Sequence, residues 1–314
     1  MHGVPARSQI AVRPASVVAN ASGCTKRPPL LESLSEGTFL DFHADQERFT
    51  SRGLAIHVPF YRKVLSYLQP VSIKQSASDI SGYLELLLYH NRFQLLTDRA
   101  IYSDGDHYFP AVAVVRHLRE FFSAVERVLV LGAGLGSIVR VMHARGYTPR
   151  YTLVERDRTV LRWALETLGE SDSLKLEPVC RDAESFMAQN ERKYDLIFVD
   201  VFKGRAVPDF VTAPHFLMQC RDSLSLGGRL ALNYIEVDKR TWERVRRVVV
   251  GVFPACQLVS KDDNRILISL PCVRTLAEGG RAIRARRPVW RTEKRARCRT
   301  RRRTRAKRPR SDEA

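Results

Sequence analysis

The chain has 314 residues and is 44% hydrophobic, which is enough apolar material for a sizeable core. Its formal net charge of +18 is concentrated at one end, since the residues from Arg281 onward carry +13 and the other 280 carry only +5. The excess positive charge therefore belongs to a tail and not to a folded domain. No run of apolar residues approaches the length of roughly 20 that a membrane span requires.

The first 110 residues divide into an arm and a small mixed segment. Residues 1–35 are rich in Pro, Ser and Ala without periodicity, which predicts a disordered arm, although their basic character also weakly resembles an organelle-targeting peptide. In residues 36–110 we expect a helical and β-rich segment. Apolar residues recur at helical spacing from Phe60 to Leu68, and strands are predicted over 83–88 and 92–96 around a two-residue turn.

From residue 111 to 272 strands and helices alternate, which predicts an α/β domain with a mostly parallel sheet. The fully apolar strand over 128–131 is typical of a strand buried on both faces. Strands are predicted over 128–131, 151–154, 174–179, 195–199 and 229–233, and helices over 111–122, 138–145, 158–168, 183–190, 214–224 and 242–249. Gly227-Gly228 predicts a turn before the fifth strand, and residues 256–260 and 265–270 predict an antiparallel closing hairpin.

A glycine-rich turn follows the first apolar strand of this domain. Gly132, Gly134 and Gly136 stand between a strand and a helix, where they allow a tight turn and a close approach of backbone to a ligand. A dinucleotide fingerprint requires Gly or Ala at the position of Ser137, and a second nucleotide-binding half is not evident. The turn therefore favours a mononucleoside cofactor over NAD.

Three acids follow the next strands of the predicted sheet. Glu155 ends the second strand, where an acid can accept hydrogen bonds from ribose hydroxyls. Asp182 and Ala183 follow the third strand, where the acid can contact an adenine amino group or simply cap the next helix. Asp200 ends the fourth strand and points to the crevice where a group would be transferred, so it is the candidate proton acceptor, with a strand-end cap as the alternative.

Neither the cysteines nor the basic tail adds a catalytic centre. The six cysteines lack metal-ligand spacing, which predicts no metal site and indicates core thiols in a reducing, cytoplasmic compartment. Residues 273–314 form a basic, low-complexity segment that we expect to be disordered. Such a tail can bind nucleic acid without sequence preference, or it can serve only to keep the chain soluble.

At these motifs the sequence resembles the spermidine synthase-like branch of the class I S-adenosylmethionine-dependent methyltransferase superfamily, over residues 71–270. The resemblance implies a Rossmann-like sheet with an antiparallel closing hairpin and a small N-terminal β-rich segment. It also implies that Gln94 reaches the cofactor from the β segment, that Glu155 binds the ribose and that Asp182 binds the adenine. Asp200 matches the proton-accepting aspartate of aminopropyltransferases, and the family makes a homodimer an expectation.

Two departures from the family bear on the reaction. Leu135 occupies the position at which aminopropyltransferases carry an acid for the amino group of the decarboxylated cofactor, and Lys203 and Arg205 follow Asp200 where a polycationic acceptor needs carboxylates. These departures favour S-adenosylmethionine and methyl transfer to an unidentified, neutral or anionic small molecule. Aminopropyl transfer from decarboxylated S-adenosylmethionine and a non-catalytic nucleoside-binding protein, whose tail docks on nucleic acid, are the alternatives.

Overall fold

The structure, a computed structural model, describes residues 55–97, 101–169 and 173–271. The predicted arm, the basic tail and three of the six cysteines lie outside these residues. Among the described residues, no helix has the length and apolar character needed to cross a bilayer.

A four-stranded antiparallel sheet forms the N-terminal part of the described chain. After a short helix, α1 (Phe60–Leu65), its strands follow in chain order as β1 (Val71–Ser78), β2 (Gly82–Tyr89), β3 (Arg92–Thr97) and β4 (Ile101–Ser103). His90 and Asn91 form the predicted turn between β2 and β3, with φ angles of 49° and 58°. Alternate leucines of β2 are buried, so one face of the sheet packs against the rest of the protein.

The second sheet has seven strands and is mostly parallel. Its strands are β5 (Arg127–Leu131), β6 (Arg150–Glu155), β7 (Lys175–Cys180), β8 (Tyr194–Val199), β9 (Leu224–Ile235), β10 (Cys256–Lys261) and β11 (Asn264–Ser269). They lie in the order β7-β6-β5-β8-β9-β11-β10, and only the pairings of β11 with its two neighbours are antiparallel. The predicted fold class, including the closing hairpin, is confirmed.

Helices cover both faces of the large sheet. They are α2 (Phe109–His117), α3 (Ser137–His143), α4 (Arg158–Leu168), α5 (Ala183–Ala188), α6 (Pro214–Asp222) and α7 (Lys239–Val252). On β5, Val128 and Val130 face the layer that contains α2 and α3, while Leu129 and Leu131 face the layer that contains α5, α6 and α7. Burial on both faces explains why this strand is apolar throughout.

The small sheet packs against the glycine turn and α4. Leu135 of the turn is 1% exposed and lies in one cluster with Leu84, Leu86, Leu95 and Trp163. Lys74 on β1 adds an ion pair to Glu166 on α4, with 2.6 Å between Nζ and Oε2. The position of the small sheet is therefore fixed by apolar packing and by a charged contact.

Several element boundaries differ from the sequence predictions by a few residues, and in three cases by more. Helix α2 begins at Phe109, before the predicted start at residue 111, because a proline fits the first turn of a helix, and it ends at His117. The last helix begins at Lys239, where the Asp238 carboxylate accepts a hydrogen bond from the Thr241 amide at 2.8 Å. The predicted turn at Gly227-Gly228 is wrong, because β9 runs through both glycines with an irregular register against β8.

Candidate functional site

A cavity of about 640 Å³ lies at the edge where the parallel strands end. It spans the point between β5 and β8 at which the strand order reverses, the usual ligand position in open α/β sheets. Six of the predicted site residues line it, namely Gly132, Gly134, Glu155, Asp182, Ala183 and Asp200. The structure therefore brings the glycine turn and the three strand-end acids to one cavity.

The first glycine of the turn is required by packing inside the protein. Gly132 has a φ of 80°, and a Cβ atom added there would lie 2.4 Å from the carbonyl oxygen of Asp200. The Asp200 amide in turn donates to the Leu131 carbonyl oxygen at 2.8 Å. Gly132 therefore allows the ends of β5 and β8 to meet closely and sets the position of Asp200.

Glu155 is tied to the glycine turn through both carboxylate oxygens. Oε2 accepts a hydrogen bond from the Gly134 amide at 3.2 Å, and Oε1 accepts one from the Asp157 amide at 3.1 Å. Burial raises the pKa of Glu155, and these two hydrogen bonds oppose the rise. Because a carboxylate offers about four lone-pair sites, it can still accept a hydroxyl from the cavity.

Asp182 caps α5 and also lines the cavity. Its Oδ1 accepts hydrogen bonds from the Glu184 amide at 2.9 Å and from the Ser185 amide at 3.2 Å. The capping alternative from the sequence is thus realised, and it does not exclude a ligand contact because these bonds use one oxygen. Ala183 and Val154 give the neighbouring wall an apolar character.

Asp200 lies at the centre of a partly buried hydrogen-bonded group. Its Oδ1 accepts from the Asn233 amide nitrogen at 2.8 Å and from the Tyr108 hydroxyl at 3.1 Å. Burial raises the pKa of Asp200 to about 6, while these two hydrogen bonds lower it. The carboxyl group can therefore be ionised at neutral pH and accept a proton.

The sequence reasoning did not identify Tyr108 or Asn233 as partners of Asp200. Tyr108 precedes α2, and nothing in its local sequence points to a strand 92 residues further on. Asn233 is 1% exposed and interrupts an apolar strand, which is a signal that could have identified it. Its Oδ1 is buried and accepts no hydrogen bond within the described part of the chain.

Two predicted cofactor residues are not among those that line the cavity. Gln94 donates from Nε2 to the Asp104 carboxylate at 2.6 Å. Gly136 is the N-cap residue before α3, and a Cβ atom added there would lie 2.8 Å from the side chain of Leu168. Direct roles of Gln94 and Gly136 in cofactor binding stay predictions.

The far end of the cavity combines one carboxylate with aromatic and basic side chains. Asp200 is followed along the wall by Phe202, Lys203, Pro208 and Phe210. Lys203 is exposed, and its backbone forms two hydrogen bonds with that of Ala206, at 2.8 and 3.2 Å, which fix this loop. Among the described residues, no group of three or more His, Cys, Asp or Glu side chains could hold a metal ion.

Comparison with curated proteins returns mainly polyamine aminopropyltransferases. The chain is 25% identical to the enzyme of Vibrio vulnificus over 234 residues, which cover 68% of this chain and 78% of that one. It is 31% identical to polyamine aminopropyltransferase 1 of Pseudomonas aeruginosa over 112 residues, or 34% of this chain and 39% of that one. A shorter match, 28% over 141 residues, is to the N-terminal histidine N-methyltransferase of Emericella nidulans and covers 43% and 25% of the two chains.

Solved structures of spermidine synthases share the fold. A probable spermidine synthase from Corynebacterium glutamicum superposes with a TM-score of 0.53 at 20% identity, over 64% of this chain and 79% of that chain. The spermidine synthase of Thermotoga maritima superposes with a TM-score of 0.51 at 17% identity, over 64% of this chain and 72% of that chain. No protein-family model matches the chain. These findings confirm the predicted resemblance to the spermidine synthase-like branch, whose members are transferases.

Proposed function

We propose that this protein is an S-adenosylmethionine-dependent transferase that moves a methyl group to a neutral or anionic small molecule. The proposal depends on one observation, the meeting of Gly134, Glu155, Asp182 and Asp200 in a single cavity. The polyamine aminopropyltransferases and methyltransferase to which the chain is similar are transferases as well.

The cavity fits an adenosyl group on chemical grounds. Glu155 has free lone pairs beside the glycine turn for the hydroxyls of a ribose. Asp182 and the apolar residues Val154 and Ala183 provide an acceptor and a wall for an adenine ring. A volume of about 640 Å³ lies within the usual range for cofactor sites, about 300–1,000 Å³.

The residues around Asp200 suit the removal of a proton from an attacking acceptor. When bound, S-adenosylmethionine supplies an electrophilic methyl group. Asp200 takes up the proton of the nucleophilic nitrogen or oxygen, while Tyr108 and Asn233 hold the carboxylate in place. With a pKa of about 6, Asp200 is ionised at neutral pH and ready to accept that proton.

Two features favour methyl over aminopropyl transfer. Leu135, at the position of the family's acid, is buried among Leu84 and Trp163 and offers no carboxylate to the amino group of a decarboxylated cofactor. Lys203 lines the same cavity as Asp200, and its positive charge opposes the binding of a polyamine cation. Aminopropyl transfer remains the second candidate, because the names of the most similar curated proteins favour it.

Isothermal titration of the full chain with the two cofactors tests this choice. We expect S-adenosylmethionine to bind at least about tenfold more tightly than its decarboxylated form, a difference of about 1.4 kcal/mol. Tighter binding of the decarboxylated form would reverse the order of the two candidates. Asp200→Asn serves as a control, because loss of the proton acceptor should abolish turnover and spare cofactor binding.

Nucleic-acid binding by the tail and homodimer formation are further proposals that do not depend on the reaction. The density of Arg and Lys from Arg281 onward supports salt-dependent binding to phosphates. Retention on RNA or DNA at low and high salt, compared between the full chain and one truncated at Arg281, tests it. Equal retention of the two forms contradicts a role of the tail.

A further inference from the structure

We infer that Asp157, Ser78 and Ser81 form a clasp that holds the β1–β2 turn over the cofactor cavity and thereby sets the affinity for the adenosyl group. The inference rests on the proposed function, because it assumes that an adenosyl compound occupies the cavity. It assigns a positioning role to three residues that contact neither Asp200 nor its two partners in the described structure.

The carboxylate of Asp157 serves two parts of the protein at once. It is 2% exposed, and its Oδ1 caps α4 by accepting hydrogen bonds from the Thr159 amide at 2.9 Å and the Val160 amide at 3.3 Å. Its Oδ2 accepts from the hydroxyls of Ser78 at 2.5 Å and Ser81 at 2.6 Å. A helix cap needs only the first oxygen, so the second is available for the β1–β2 turn.

The turn that the clasp holds is a wall of the cavity. Ile80, Ser81 and Gly82 all line it. The Ser78 hydroxyl oxygen also accepts from the amides of Ile80 at 3.2 Å and Ser81 at 3.4 Å, so the same serine shapes the turn. Ile80 is 43% exposed. A bound adenosyl group would cover part of this apolar side chain, and the burial of apolar surface would favour binding.

The clasp is also joined to the acid that we expect to bind the ribose. The Asp157 amide donates to Glu155, whose other oxygen accepts from Gly134. One continuous set of hydrogen bonds therefore connects the β1–β2 turn, the strand-end acid and the glycine turn. Release of the turn is expected to loosen this wall of the cavity while the acid stays in place.

The rest of the small sheet is held independently of the clasp. Lys74 on the same strand pairs with Glu166, and the leucines of β2 pack in the cluster with Trp163. Loss of the two serine hydroxyls should therefore free the turn without detaching the sheet. Because the Asp157 carboxylate still caps α4 in such variants, the helix should also keep its start.

The test uses the full chain with Ser78→Ala/Ser81→Ala as the main variant. Ser76→Ala is the matched control, since its hydroxyl lies on the same strand and donates to the Ala77 carbonyl oxygen. Ser81→Thr keeps a hydroxyl at this position and should retain wild-type binding. The probes are S-adenosylmethionine and 5′-methylthioadenosine, because both carry the adenosyl group, and surface plasmon resonance gives the dissociation constant and the dissociation rate.

We expect the double variant to bind both probes about tenfold more weakly, mainly through faster dissociation. Ser76→Ala and Ser81→Thr should stay within about twofold of wild type. The thermal midpoint of the unliganded protein should also fall, because the buried Oδ2 of Asp157 loses both of its donors. Equal binding by wild type and the double variant overturns the clasp alone. A lower thermal midpoint with an unchanged dissociation constant also overturns it, since the contact is then only structural. Binding of neither probe by wild type overturns the proposed function and the clasp together.

Discussion

Replacement of Asn233 by leucine should raise the pKa of Asp200. The Asn233 amide donates to the Asp200 carboxylate at 2.8 Å, and this hydrogen bond favours the ionised form. Leucine has a similar volume and no donor. The substitution also removes the buried Oδ1 that has no partner within the described residues, so the fold should tolerate the change.

The size of the effect follows from the strength of a hydrogen bond to a charged group. Such a bond contributes about 1.5–3 kcal/mol, and one pKa unit corresponds to about 1.4 kcal/mol. The pKa of Asp200, about 6 in the wild-type protein, should therefore rise by about one to two units. Tyr108→Phe removes the longer bond, at 3.1 Å, and should cause a smaller rise.

The pKa can be measured without knowledge of the acceptor. Carbon-13 NMR of protein labelled at the aspartate carboxyl carbons gives a titration curve for each group, and the signal missing in Asp200→Asn identifies the one of interest. The other aspartate signals should titrate as in wild type. An unchanged or lowered pKa of Asp200 in Asn233→Leu would refute the assignment of the amide as the donor that stabilises the carboxylate.

Three further predictions concern stability and can be checked by denaturant unfolding. Gly132→Ala should lower the free energy of unfolding more than Gly146→Ala. Both glycines have a φ of 80°, but only at Gly132 would the new Cβ contact backbone atoms. Equal losses in the two variants would contradict this packing. Leu135→Ala should lower the free energy of unfolding by about 2–5 kcal/mol. Leu226 is 87% exposed, so Leu226→Ala should lower it little. Similar losses in the two variants would be inconsistent with burial of Leu135 in the cluster. Asp200 has a higher pKa in the folded than in the unfolded chain, so its own contribution to stability should fall as pH rises from about 4 to about 6. The difference in unfolding free energy between wild type and Asp200→Asn should therefore change over this range, and a difference that stays constant with pH would contradict the raised pKa.

The convergence of the strand-end acids could be predicted from the sequence because parallel strands end at a common edge. Glu155 and Asp200 follow apolar strands, and the alternation of strands and helices places both at that edge. The alternation of strands and helices was therefore enough to predict that the two acids lie at one edge, without knowledge of side-chain contacts. The glycine turn was found for the same reason, since it stands at a strand-to-helix junction.

The supporting contacts could not be predicted, because they join residues distant in the chain. Asn233 reaches Asp200 across 33 residues, and Ser78 reaches Asp157 across 79. Such contacts depend on which strand lies beside which, and periodicity does not contain that information. At Gly227-Gly228 a local pattern misleads for the same reason. The two glycines are typical of a turn, but they lie inside β9, where the register against β8 shifts.

We propose that the glycine turn and Glu155 bind an adenosyl cofactor. Native mass spectrometry of the full chain mixed with S-adenosylmethionine measures this binding. We expect a one-to-one complex that is lost in Glu155→Ala and kept in Glu120→Ala, which changes an exposed acid outside the cavity lining. Absence of the complex in wild type, or its full retention in Glu155→Ala, would contradict the claim.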